Sequence, residues 1–138
     1  MKKIAITGLV AGLVMLVVGV AVGLLTTLAL PSLSKEYENV NLFRSWSDPI
    51  MYLYFLYPFL LGIGLSWVWD KTKGVIAEGT LWMRGSRFGR AVWIVSIIPG
   101  ILMSYSTFPI SLAIALTWLL SSLIQLVCIG FVYAKMNQ

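Results

Sequence analysis

The sequence predicts an all-α integral membrane protein, a four-helix bundle with both termini in the cytoplasm (N-in, C-in), and three observations predict it. Of 138 residues, 59% are hydrophobic and 11% charged, too few polar side chains to cover a water-soluble globule, so lipid is the expected solvent. The charged residues are clumped and leave uncharged stretches longer than the roughly 18 apolar residues a spanning helix needs. Lysine and arginine, finally, gather on alternate connections between those stretches. One membrane domain, 1–138, accounts for the chain.

The first span is expected at about 4–30. Its start, Met1-Lys2-Lys3, imitates a signal peptide. The 27 uncharged residues from Ile4 to Leu30 nevertheless exceed an apolar region of about 7 to 15, and Thr27-Leu28-Ala29 is a poor cleavage site, so a retained anchor is expected. Pro31 and the polar run after it end the helix and open an outer loop over 31–48. In the second span, at about 49–69, Asp48 can cap the free amides and Pro49 takes the first helical position, where its missing N–H costs nothing. Tyr57-Pro58 is expected to bend this helix.

A basic inner loop over 70–87 follows. The uncharged run from Ala91 to Ala134 has 44 residues, about 66 Å as one helix at roughly 1.5 Å per residue, or twice a bilayer core. It must turn back, and the polar stretch Ser104-Tyr105-Ser106-Thr107-Phe108-Pro109 is the expected place. The third span then lies at about 88–104, kinked at Pro99-Gly100, and the fourth at about 109–134.

Orientation follows from the basic residues. Lys2, Lys3, Lys71, Lys73, Arg84, Arg87, Arg90 and Lys135 fall on one side, and Lys35 and Arg44 on the other, which puts both termini inside. Tyr37, Trp46, Tyr52, Tyr105 and Phe108 are expected at the outer interface, and Trp67, Trp69, Trp82, Trp93 and Tyr133 at the inner one.

Four constellations stand out. Gly8, Gly12, Gly19, Gly23 and Thr26 lie within about 60° of one another on the first helix, a groove that lets another helix approach closely. It serves packing within the chain, on the second or fourth helix, or packing between chains. Thr117, Ser121, Gln125 and Cys128 share a face of the fourth helix, where the Gln125 amide wants a partner such as Ser96, Ser66 or a backbone carbonyl; the stripe reads as structural glue or as a polar path. Tyr54 and Tyr57, with Gln125, outline a candidate ligand pocket. Arg84, Arg87 and Arg90, interleaved with Trp82 and Phe88, suit the phosphates of anionic lipid or serve only to keep the loop inside. Arg87 and Arg90 are also candidates to neutralise Asp70, which sits badly at the negative end of the second helix, with Glu78 a second candidate partner.

Cys128 is the only cysteine and histidine is absent, which excludes an intrachain disulfide, a CxxC couple and histidine-ligated haem or zinc. No cofactor and no metal is expected. No nucleophile sits beside a base, and all five carboxylates lie at or beyond the expected interfaces, so neither an enzyme nor a proton-coupled carrier is expected. The net charge of +5 flanks membrane spans, so its expected counterpart is anionic headgroups on the cytoplasmic side rather than nucleic acid.

Phe88-Gly89-Arg90 leading into Pro99-Gly100 and Ser104-Tyr105-Ser106-Thr107-Phe108, followed by a tryptophan-bearing helix ending Gly130-Phe131-Val132-Tyr133-Ala134-Lys135, resembles small, uncharacterised four-helix membrane proteins of prokaryotes. The resemblance covers mainly the last 55 residues and implies a multi-pass protein of the plasma or inner membrane, with no activity attached. The functional classes that remain are a non-enzymatic protein acting by helix packing, as an accessory subunit or homo-oligomer; a passive small-solute transporter or channel; and a lipid-binding or lipid-modifying protein.

Overall fold

The computed structural model describes residues 1–39 and 41–138. Among these residues every regular element is helical: α1 (Lys2–Ala29), α2 (Pro31–Tyr37), a 3-10 turn (Pro49–Met51) leading into α3 (Tyr52–Thr72), α4 (Leu81–Val92), a π-helical segment (Trp93–Ile97), α5 (Ile98–Thr107) and α6 (Leu112–Met136). Four stretches are long and apolar enough to cross a membrane: Lys2–Ala29, Pro49–Thr72, Leu81–Thr107 and Leu112–Met136.

The helix ends follow local chemistry. The Asp48 carboxylate accepts from Ile50 N at 2.9 Å, Thr80 Oγ1 from Met83 N at 3.3 Å and Ser111 Oγ from Ile114 N at 3.2 Å, so three helical starts have their free amides met by side chains. Three boundaries differ from expectation. Residues 31–37, expected as loop, form α2, because Pro31 suits a first helical turn and Leu33 is buried against Ile110 and Ile114. Residues 81–87, also expected as loop, are the first turns of α4, capped by Thr80. The turn expected from Ser104 comes after Thr107, because Ser104 and Ser106 return their hydroxyls to the Gly100 and Met103 carbonyls and remain helical. Phe108, held extended by the following Pro109, then ends the helix.

Pro99 makes itself felt as a π segment that ends two residues before it. Proline offers no N–H to the Val95 carbonyl, and its ring crowds that turn, which widens.

The helices touch in a row that departs from chain order. α3 packs along α1, α1 along α6, and α6 along α4, whereas α3 and α6 meet only briefly. Two of these pairings, α1 with α3 and α4 with α6, rest on glycine. A β-carbon on Gly8 would lie 2.5 Å from the Ile63 backbone, one on Gly12 2.9 Å from the Pro58 carbonyl, and one on Gly62 would strike the Gly8 carbonyl. Across α4 and α6, a β-carbon on Gly85 would lie 2.5 Å from Phe131 N, one on Gly89 2.6 Å from the Leu126 carbonyl, and one on Gly130 would strike Gly85. Only glycine permits backbones this close.

The main core lies at the end carrying both termini. Trp69, Phe88 and Tyr133 form its centre, with ring centroids 5.3 Å apart for Trp69 and Phe88, 5.8 Å for Phe88 and Tyr133, and 6.4 Å for Trp69 and Tyr133. The first two pairs meet edge to face, a geometry worth roughly 0.5–1.5 kcal/mol per pair beyond burial. Trp69 and Tyr133, expected as interface aromatics, are instead fully buried. Their polar atoms are satisfied inside, Trp69 Nε1 donating to the Asn137 carbonyl and Tyr133 Oη to the Gly62 carbonyl, both at 2.8 Å. Ala11 and Met15 of α1, Leu65 of α3 and Leu126, Ile129 and Ala134 of α6 complete the cluster.

Candidate functional site

Two regions hold the residues the sequence singles out. The first is the terminus-bearing end. Asp70 does not pair with Arg87 or Arg90 as expected: its Oδ1 lies 3.1 Å from Lys73 Nζ and accepts from Asn137 Nδ2 at 3.1 Å. Lys73 Nζ also donates to Asn137 Oδ1 at 2.9 Å. The closed triangle follows from spacing, since Lys73 is one turn beyond Asp70 and Asn137, itself buried, comes down from the end of α6.

The three arginines therefore separate. Arg84 turns inward, Nε donating to the Ile76 carbonyl at 3.1 Å, its guanidinium 5.7 Å from the Trp69 ring centroid. Arg87 and Arg90 remain exposed. Arg87 spends one N–H on the Glu78 carbonyl and Arg90 one on the Ser86 carbonyl, and neither has an acidic partner within 4.0 Å among the described residues. Gly79, with φ +97°, makes the turn that brings the 73–80 connection under these side chains.

The second region is the far half of the helices. The glycine stripe of α1 divides there. Gly8 and Gly12 are consumed by α3, Gly19 meets the Gln125 amide of α6 at 3.4 Å from its would-be β-carbon, and a β-carbon on Gly23 would meet nothing within 4 Å among the described residues. Thr26 bonds back to the Val22 carbonyl. Gln125 finds none of its expected partners. Its Nε2 donates to Ser121 Oγ, one turn earlier, at 2.9 Å, and Ser66 gives its hydroxyl to the Ile4 carbonyl instead. The Ser121 contact is the amide's only hydrogen bond among the described residues, half-buried between α1 and α6. Thr117 bonds to the Ala113 carbonyl, and Cys128 is a free, half-buried thiol.

Tyr54 and Tyr57 are half exposed on α3, and no hydrogen bond joins either to Gln125 among the described residues. Tyr54 packs edge to face on Trp46 at 5.5 Å. α5 has no buried residue. In the π segment before it, Trp93 Nε1 donates across to the Leu119 carbonyl of α6 at 2.9 Å. A small cap closes the far end of α6, where Leu33 meets Ile110 and Ile114, Glu36 Oε1 accepts from Ser111 N at 2.8 Å and Trp118 Nε1 donates to Tyr37 Oη at 2.8 Å. Arg44 and Asp48 pair at 2.7 Å beside it.

Sequence reasoning missed the Gly85, Gly89 and Gly130 crossing. The signal was present, since Gly85 and Gly89 are themselves a GxxxG pair, but the arginines around them read as loop.

Among the described residues no group of three acidic or thiol side chains comes together to hold a metal ion. Comparisons of the chain with protein-family models, with curated proteins and with solved structures find no match.

Proposed function

We propose that this chain is a non-enzymatic, multi-pass cell-membrane protein, an N-in/C-in four-helix bundle of a prokaryotic plasma or inner membrane, that acts by associating with a second copy of itself through the half of the bundle remote from its termini. One observation carries the reading. Gln125 lies near the middle of α6 and, in hydrocarbon, has one hydrogen bond to Ser121, leaving donor and acceptor capacity unused where water cannot meet it. A primary amide is self-complementary, so a second Gln125 across a two-fold axis answers both needs. Gly23, with open space before it, leaves room for close approach on the same helix pair.

The deciding measurement is assembly size by native mass spectrometry from nanodiscs. Wild type is expected to be dimeric or larger, and Gln125→Leu monomeric with unchanged melting temperature, whereas Gln125→Asn retains assembly. A monomeric wild type would end the proposal. Orientation has its own test: a cytoplasm-dependent reporter fused after Gln138 is expected to be active, and one inserted near Glu38 silent.

A further inference from the structure

We infer that Arg87 and Arg90 form a binding site for the phosphate of an anionic phospholipid, and that Arg84 is not part of it. The continuous stretch Leu81–Thr107 has 27 residues, about 40 Å at roughly 1.5 Å per residue, against a hydrocarbon core of about 30 Å. The excess of about seven residues matches 81–87, the polar end of the stretch. Arg87 and Arg90 thus stand at the boundary where phosphates lie, and long arginine stems reach it from slightly inside.

Helical geometry aims both side chains at lipid. Gly85 and Gly89 turn toward α6. At 100° per residue Arg87 and Arg90 fall about 200° and 140° away from Gly85, hence on the opposite face and, three residues apart, beside each other. The nearby acids leave them their charge. Asp70 is occupied by Lys73 and Asn137, and Glu78 offers Arg87 only its backbone carbonyl. Each guanidinium has given one N–H to a carbonyl and keeps the others, enough for two planar forks to share a phosphate. Trp82, on the first turn of α4, is more than half exposed and packs on Phe131 at 6.0 Å, a tryptophan at headgroup level beside the arginines.

The test is lipid retention in nanodiscs of phosphatidylcholine with about one fifth phosphatidylglycerol, read by native mass spectrometry, with melting temperature followed in parallel. Wild type is expected to retain phosphatidylglycerol over phosphatidylcholine. The double variant Arg87→Gln/Arg90→Gln should bind it about 30-fold more weakly at an unchanged melting temperature, the sum of two surface charges. Arg87→Lys/Arg90→Lys should keep part of the preference, since charge survives while the fork is lost. Arg84→Gln should keep lipid binding and lose stability, through the Ile76 carbonyl and the Trp69 face. Millimolar inorganic phosphate should not displace the lipid. Equal retention by wild type and double variant overturns the site, as does loss with Arg84→Gln alone or displacement by inorganic phosphate. If the double variant does not fold, the two single variants decide by the same criteria.

Discussion

The two halves of the molecule are built on opposite terms. At the terminus-bearing end, backbone lies on backbone through Gly8, Gly12 and Gly62 and again through Gly85, Gly89 and Gly130, and three aromatic rings fill the space between the pairs. At the far end the same four chains of helix bury little. α5 contributes no buried residue, and Tyr52, Leu53 and Leu56 of α3 are about half exposed or more. Hydropathy does not distinguish these halves, since both are apolar. The difference lies in where glycine allows close approach, because in lipid there is no hydrophobic force to draw helices together otherwise.

The sharpest way to break this contrast is to add side chains at the closest crossing. Gly130→Val is expected to cost about 3 kcal/mol or more, because the new atoms meet the Gly85 backbone rather than a movable side chain. Thermal unfolding in detergent should show a fall of about 10 °C. Gly12→Ile should cost somewhat less, about 2 kcal/mol, since one of its close contacts is the Phe59 ring, which can give way, although the Phe59 Cα and the Pro58 carbonyl cannot. The same change at Gly23 should leave the melting temperature where it was, and a loss comparable with that of Gly12 would mean the far half is packed after all.

Smaller effects sharpen the comparison. Tyr133→Phe removes the hydrogen bond to the Gly62 carbonyl and should cost about 0.6 kcal/mol, the usual worth of an interhelical bond in a membrane, measured by the same unfolding assay. The least effect is expected at Asp48. The Arg44 guanidinium, helped by the Ile50 amide, holds its carboxyl below the usual carboxylate range. A depressed folded value means the contact is intact above the ordinary unfolded range and is lost as pH falls through the folded value. Acidification below about pH 4 should therefore lower the protection of the Ile50 amide, its exchange being compared with that of an unstructured amide at the same pH, while the amides of residues 62–69 stay protected.

How much was legible depends on the kind of signal. Span number and the Asp48-Pro49 start are read directly from charge spacing and capping chemistry. Tertiary commitments were harder to see. The run Arg84-Gly85-Ser86-Arg87-Phe88-Gly89-Arg90 looks like loop because its charges outweigh its glycines in any window, yet the helix puts the glycines on one face and Arg87 and Arg90 on the other. Asp70 had several cations in reach along the sequence, and only the fold brings Asn137 to it. Trp69 and Tyr133 look like interface residues by position, and burial of their polar atoms depends on carbonyls 68 and 71 residues away.

The Asn137 junction also has a meaning in time. α1 and α3 follow one another closely in the chain, and their glycine seam needs nothing that is synthesised later, so this hairpin is free to assemble while α4 is still inside the ribosome. The aromatic centre cannot follow until α6 has emerged as far as Tyr133, and Asp70 and Lys73 wait longer still, for Asn137. A chain halted before that point would hold a finished hairpin beside an unattached one, with the Trp69 indole N–H still unsatisfied. The junction is thus among the last contacts that the order of synthesis permits.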